Sequence, residues 1–126
     1  LYYVSPNWEE SNGGNFELWD NKVKNKKTIV SRFNRLIIME TNRTSWHSVS
    51  KVEKDVIRCC LSNYYFSKNH PSKYSYEYNH VTSFTGRPNE KFRRLYGYLD
   101  NFLRNFVSSN FKISRGKKLV NKKIEK

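Results

Sequence analysis

Gly13-Gly14-Asn15-Phe16-Glu17-Leu18-Trp19 is a glycine pair followed by a run that alternates with a period of two. That alternation suits a half-buried β-strand and turns Phe16 and Leu18 toward the same side. Upstream, Leu1-Tyr2-Tyr3-Val4 reads as another strand, stopped by the turn chemistry of Ser5-Pro6-Asn7, with a polar loop from Glu9 to Asn12 between the two. Downstream, a lysine-rich turn over Asn21–Lys27 precedes a short strand, Thr28-Ile29-Val30. Arg35-Leu36-Ile37-Ile38-Met39 is the most apolar run and is expected to be a central strand. After the polar turn Asn42 to Thr44 come Ser45-Trp46-His47-Ser48-Val49 and then the long β-favouring run from Val56 to Phe66. Short strands broken by turns at roughly ten-residue intervals indicate a mainly β domain, a sandwich or a barrel.

The pattern changes after Pro88. Phe92, Leu95, Tyr96, Leu99, Leu103 and Phe106 recur at helical spacing, with Arg93, Arg94, Asp100, Asn101 and Arg104 between them. This predicts one amphipathic helix near residues 89–107, able to lie against the sheet or to take a partner helix. From Ser108 the chain is polar and basic. The expected organisation is a β region over 1–87, a packing helix over 88–107 and a basic tail over 108–126.

The chain has 126 residues, enough for one domain, and aromatics make up 16% of it, so it can build a core. No apolar run approaches the ~20 residues needed to cross a membrane as a helix. Cys59 and Cys60 are adjacent, and neighbours in a strand face opposite ways, which argues against a disulfide between them and for a reducing, cytoplasmic setting. The net charge of +13 admits two readings. One is a general bias toward Lys and Asn, and the other is a surface for an anionic partner such as nucleic acid, with Tyr74, Tyr76 and Tyr78 as stacking groups.

Three histidines are present: His47, His70 and His80. His47 has the clearest strand context. Arg58 follows eleven residues later on the next predicted strand. A loop over Ser50–Asp55 would make the two strands antiparallel neighbours. A guanidinium turned inward needs a partner, and a small dianion would supply one through its fork of donors. A guanidinium turned outward would be solvated and would need none.

Taken in order, Leu1-Tyr2-Tyr3-Val4-Ser5-Pro6-Asn7-Trp8, Gly13-Gly14-Asn15-Phe16-Glu17-Leu18-Trp19, Phe33-Asn34-Arg35-Leu36, Ser45-Trp46-His47 and Arg58 resemble successive blocks of the prolyl-4-hydroxylase-like 2-oxoglutarate/iron(II) dioxygenases. The resemblance covers about residues 1–66. It implies a double-stranded β-helix (a jelly-roll, cupin-like fold), here incomplete at its N-terminus and followed by one C-terminal helix. It implies Fe(2+) as the metal, 2-oxoglutarate and dioxygen as cosubstrates, L-ascorbate as an accessory reductant, and peptidyl proline as the default substrate. By the same resemblance His47 is an iron ligand, while Arg58 and Tyr3 hold the distal carboxylate of 2-oxoglutarate. Phe16, Leu18 and Cys60 line the pocket wall, and Trp8, Trp19 and Trp46 are packing residues. Residues 67–87 would form one wall of the entrance.

One element of the family's pattern is missing. The His-any-Asp motif that supplies two iron ligands occurs nowhere in the sequence. Together with the start at Leu1 on a strand, this creates the expectation of a piece of a longer enzyme, inactive alone. The alternatives are a basic nucleic-acid-binding domain and a non-catalytic jelly-roll interaction domain.

Overall fold

The computed structural model describes residues 1–42, 44–65 and 82–111. His70, His80, Tyr74, Tyr76, Tyr78, most of the 67–87 entrance segment and most of the 108–126 tail lie outside the described residues, as does Phe66. The chain divides into two units, Leu1–Tyr64 and Tyr65–Lys126.

The first unit contains two small antiparallel sheets. Strands β1 (Tyr2–Tyr3), β4 (Arg35–Leu36) and β6 (Cys60–Leu61) form one, in the order β4-β1-β6. Strands β2 (Phe16–Trp19), β3 (Lys26–Ile29) and β5 (His47–Val49) form the other, in the order β3-β2-β5. The alternating stretch is therefore the central strand of its sheet. Phe16 pairs with Ile29 on one side and Val49 on the other, and Leu18 with Lys27 and His47. Directly opposed residues share a face, so Phe16, Leu18 and His47 lie on one face, and Glu17 and Ser48 on the other.

Glu17 departs from the expected polar-outward alternation, because it is fully buried. A buried carboxylate is costly unless paired and hydrogen-bonded. Here Lys26 forms an ion pair with it, Ser48 Oγ donates to Oε2 at 2.7 Å, and Trp19 Nε1 donates to Ser48 Oγ at 2.8 Å. Trp8 is buried and its indole N–H donates to the Gly13 carbonyl at 3.0 Å. Both tryptophans act as packing residues with satisfied polar edges.

The β2–β3 hairpin is closed by Asp20. Its carboxylate accepts from the amides of Lys22, Lys24 and Asn25, an Asx-type arrangement that folds the lysine-rich turn back on itself. The Lys24 amide bond contributes most to holding the Asp20 pKa below its ordinary value, with Asn25 and Lys22 assisting against a smaller desolvation effect.

Two expectations are corrected here. The apolar run Arg35–Met39 is not a central strand: β4 is a two-residue edge strand, and Leu36 and Ile38 are exposed. Its pairing extends only to Ile37, whose amide donates to Leu1 O. The strand carrying His47, β5, and the strand that follows Arg58, β6, are also not neighbours. The intended loop is consumed by pairing alongside the glycine stretch: Ser50 N donates to Asn15 O, Gly14 N to Lys51 O and Glu53 N to Asn12 O. The chain therefore continues past β2 and reaches β1 in the other sheet, with Arg58 itself just before β6.

In the second unit, helix α1 runs from Lys91 to Phe111, four residues past the expected end at 107. Glu90 precedes it, accepting from the Arg87 amide and from Arg93, with the Arg87 bond the larger cause of its lowered pKa. The buried positions on the helix are Gly97 and Ser108, while Phe92, Leu95, Tyr96, Leu99, Leu103 and Phe106 are exposed. A Cβ on Gly97 would come within 2.7 Å of the Phe84 carbonyl oxygen, and Asn101 brackets the Phe84 backbone, donating to its O and accepting from its N. Among the described residues no helix is long and apolar enough to cross a membrane.

Candidate functional site

Tyr3 is the most completely buried aromatic of the first unit, with 0% exposure. It sits in the middle strand of its sheet, opposite Arg35 and Cys60. Cross-strand partners share a face, which puts Cys60 on the side of Tyr3. The phenol oxygen of Tyr3 is buried and has no hydrogen-bond partner among the described residues. Native structures almost always satisfy such a group, so an orphan asks for an explanation, a ligand among them.

Arg58 lies over the Tyr3 ring, its guanidinium carbon 5.6 Å from the ring centroid. This cation–π contact is worth about 0.5–1 kcal/mol in a partly exposed setting. Among the described residues no carboxylate forms an ion pair with Arg58, which is half-buried. A cation and a hydroxyl donor thus lie side by side, and among the described residues neither is neutralised or satisfied.

The glycine pair makes room for this arrangement. A Cβ on Gly14 would stand 2.7 Å from Arg58 Cδ and 3.2 Å from its Nε, and the residue has φ +60°. Only glycine meets both demands without strain. Gly13, with φ +71°, is tighter still: its Cβ would fall 1.9 Å from the Lys51 carbonyl oxygen. Asn15 and Ser31 hold the stretch in place. Ser31 Oγ donates to Gly14 O at 2.8 Å, Ser31 N donates to Asn15 Oδ1 at 3.2 Å, and Asn15 Nδ2 donates to Glu10 O at 2.8 Å.

Replacing Gly14 with Ala is expected to cost about 1–3 kcal/mol of stability through the left-handed backbone alone. It should also shift the Arg58 stem, which can yield because it is flexible. Denaturant unfolding checks the first effect. An unchanged midpoint would mean that neither the backbone nor the contact is as described.

His47 opens β5 and stacks on Phe16, with ring centroids 5.6 Å apart and planes 27° from parallel. Its Nδ1 lies 2.8 Å from the Ser45 carbonyl oxygen. A carbonyl can only accept, so Nδ1 carries the proton and Nε2 of the neutral ring keeps its lone pair. A carbonyl fixing the far nitrogen is the usual second partner of a metal-ligating histidine. His47 is exposed, and among the described residues no group of three His, Cys, Asp or Glu side chains gathers around a point that could hold a metal.

Gly14 meets Arg58, and Phe16, two residues on, carries the His47 ring. One short segment, 14–16, therefore neighbours both candidates, through Gly14 and through the Phe16 ring. A sequence comparison bears on the same segment: the family model of the 2OG-Fe(II) oxygenase superfamily matches residues 1–66, more than half of the chain. The chain belongs to the 2OG-Fe(II) oxygenase superfamily. No curated protein and no solved structure matches it. Membership in this oxygenase superfamily implies an enzyme of dioxygenase type that uses Fe(2+), with 2-oxoglutarate and dioxygen as cosubstrates.

The residues present fit the oxo-acid. A guanidinium and a phenol that the described residues leave unpaired are the donor set a carboxylate requires. For iron, the described residues of this oxygenase offer one imidazole with a free Nε2.

Leu18 is half-buried on the His47 face, opposite that residue, and Phe16 is buried beneath its ring. Sequence reasoning missed Asn15, Ser31 and Ser5. Their polar side chains gave no sign of burial, and only the fold reveals that all three are buried.

Proposed function

We propose that this chain supplies the oxo-acid grip and one iron ligand of a prolyl-4-hydroxylase-like dioxygenase with a jelly-roll fold. The observation that carries the reading is the buried Tyr3 hydroxyl without a partner, set beside an Arg58 guanidinium that no carboxylate neutralises. Arg58 binds the distal carboxylate of 2-oxoglutarate through its planar fork, and Tyr3 Oη donates the remaining hydrogen bond. His47 holds Fe(2+) through Nε2, its ring oriented by the Ser45 carbonyl and by stacking on Phe16. When bound, iron and 2-oxoglutarate supply an oxidative decarboxylation that drives hydroxylation of a C–H bond. The side chains described here orient and desolvate, and none is assigned as a general base.

In this reading Phe16, Leu18 and Cys60 wall the oxo-acid pocket. Cys60, a weak hydrogen-bond donor, adds little to the grip. Peptidyl proline is the proposed substrate class, with L-ascorbate as accessory reductant.

Tyr3→Phe in the full-length protein tests the reading. Removing an unsatisfied buried hydroxyl should leave the ligand-free protein equally stable or slightly more stable. The affinity for 2-oxoglutarate should fall, by about 0.5–1.5 kcal/mol or roughly 2- to 13-fold. Thermal unfolding and a 2-oxoglutarate titration measured together decide it. Lower stability with unchanged affinity would mark the hydroxyl as structural and remove the carrying observation.

A further inference from the structure

Ser5 lies just beyond β1, before Pro6, where the β1 backbone ceases to pair regularly with the segment leading into β6. Its side chain takes over that role. Ser5 is 6% exposed; its Oγ accepts from the Cys59 amide at 2.7 Å and donates to the Ile57 carbonyl at 3.4 Å. The Val4 amide adds a bond to Cys59 O at 3.2 Å. The serine hydroxyl thus clamps the backbone on both sides of Arg58, two residues from the tyrosine over which the guanidinium lies.

Among the described residues Arg58 has no carboxylate to hold it, and it lies outside the strand ladder. Its approach to Tyr3 depends on where residues 57–59 run. Among the described residues, both side-chain hydrogen bonds to the 57–59 backbone involve Ser5 Oγ, which accepts one and donates the other.

We propose that Ser5 is the positioning residue for the oxo-acid anchor: it holds the 57–59 backbone so that Arg58 meets the distal carboxylate of 2-oxoglutarate over Tyr3. This rests on the assignment of Arg58 as that anchor. Ser5 touches no ligand and acts through the arginine. Loss of its hydroxyl leaves the Cys59 amide unsatisfied and lets the guanidinium wander, which weakens a contact made equally in the ground and transition states. Such a change raises KM for 2-oxoglutarate and spares kcat.

The experiment compares Ser5→Ala, Ser5→Cys and Ser5→Thr with Arg58→Ala in the full-length protein. The readouts are anaerobic equilibrium titration of 2-oxoglutarate, ferrous-iron affinity, kcat at saturating 2-oxoglutarate, and hydrogen exchange at the Cys59 amide. Ser5→Ala should raise Kd and KM for 2-oxoglutarate roughly tenfold, with iron affinity and kcat unchanged and faster exchange at Cys59. Ser5→Thr keeps a hydroxyl and should restore the wild-type values. Should the alanine variant fail to fold, Ser5→Cys, nearly isosteric but a weak hydrogen-bonding group, reads the same effect. Wild-type 2-oxoglutarate affinity in Ser5→Ala or Ser5→Cys beside a weakened Arg58→Ala overturns the role of Ser5 alone. Parallel losses of iron affinity and kcat also overturn it, since they mark a general loosening. Unchanged affinity in Arg58→Ala overturns both the anchor and its support.

Discussion

Arg58→Ala is expected to weaken 2-oxoglutarate binding by about 30- to 150-fold while leaving the fold and ferrous binding largely intact. The magnitude follows from the cost of leaving a desolvated carboxylate without its partner, about 2–3 kcal/mol at a half-buried site. The fold survives because the side chain contributes to the protein mainly its contact with the Tyr3 ring, worth about 0.5–1 kcal/mol. Arg58→Lys should recover only part of the loss, since an ammonium keeps the charge and gives up the bidentate fork. Titrations of wild type and both variants with 2-oxoglutarate check this. Equal affinities for wild type and Arg58→Ala would remove the anchor. A full rescue by lysine would leave a point charge as sufficient and take away the fork argument.

His47→Ala should abolish measurable ferrous binding in the full-length protein, a loss of more than about 100-fold, since second-shell changes alone cost 10- to 100-fold in metal affinity. In the proposed role the ring needs no rearrangement to ligate. The Ser45 carbonyl fixes the Nδ1–H tautomer, and Phe16 fixes the plane. Phe16→Ala should therefore weaken iron less than His47→Ala, and it should destabilise the protein as well, because Phe16 is 1% exposed. Iron stoichiometry retained after His47→Ala would take this histidine out of the metal site.

Much of the site was legible before the fold. The alternation from Asn15 to Trp19 placed Phe16 and Leu18 on one face, and the strand context of Ser45–Val49 put His47 in a strand. Period-two patterning survives folding because a one-residue slip would turn every side chain to the wrong face. Helix α1 was legible for the same kind of reason, through its 3.6-residue period. Its end was not, because nothing in Ser108–Phe111 stops a helix.

Partnership was not legible. The apolar run after Arg35 looked central, yet it became an edge strand because β1 sits between β4 and β6. The buried carboxylate of Glu17 gave no sign of itself, since its partners Lys26 and Ser48 come from two other strands.

The family resemblance marked out a histidine and an arginine; by itself the sequence determined the strand periodicity, the helix and the glycine pair. These depend on neighbours within a few residues, where covalent geometry dictates which way side chains face. Only the tertiary structure decided that residues 50–53 pair beside the glycines, that the chain then passes to the other sheet so that Arg58 settles over Tyr3, and that the phenol beneath it has no partner among the described residues. Those are contacts between residues more than thirty positions apart, and they depend on which backbone hydrogen bonds the folded chain closes.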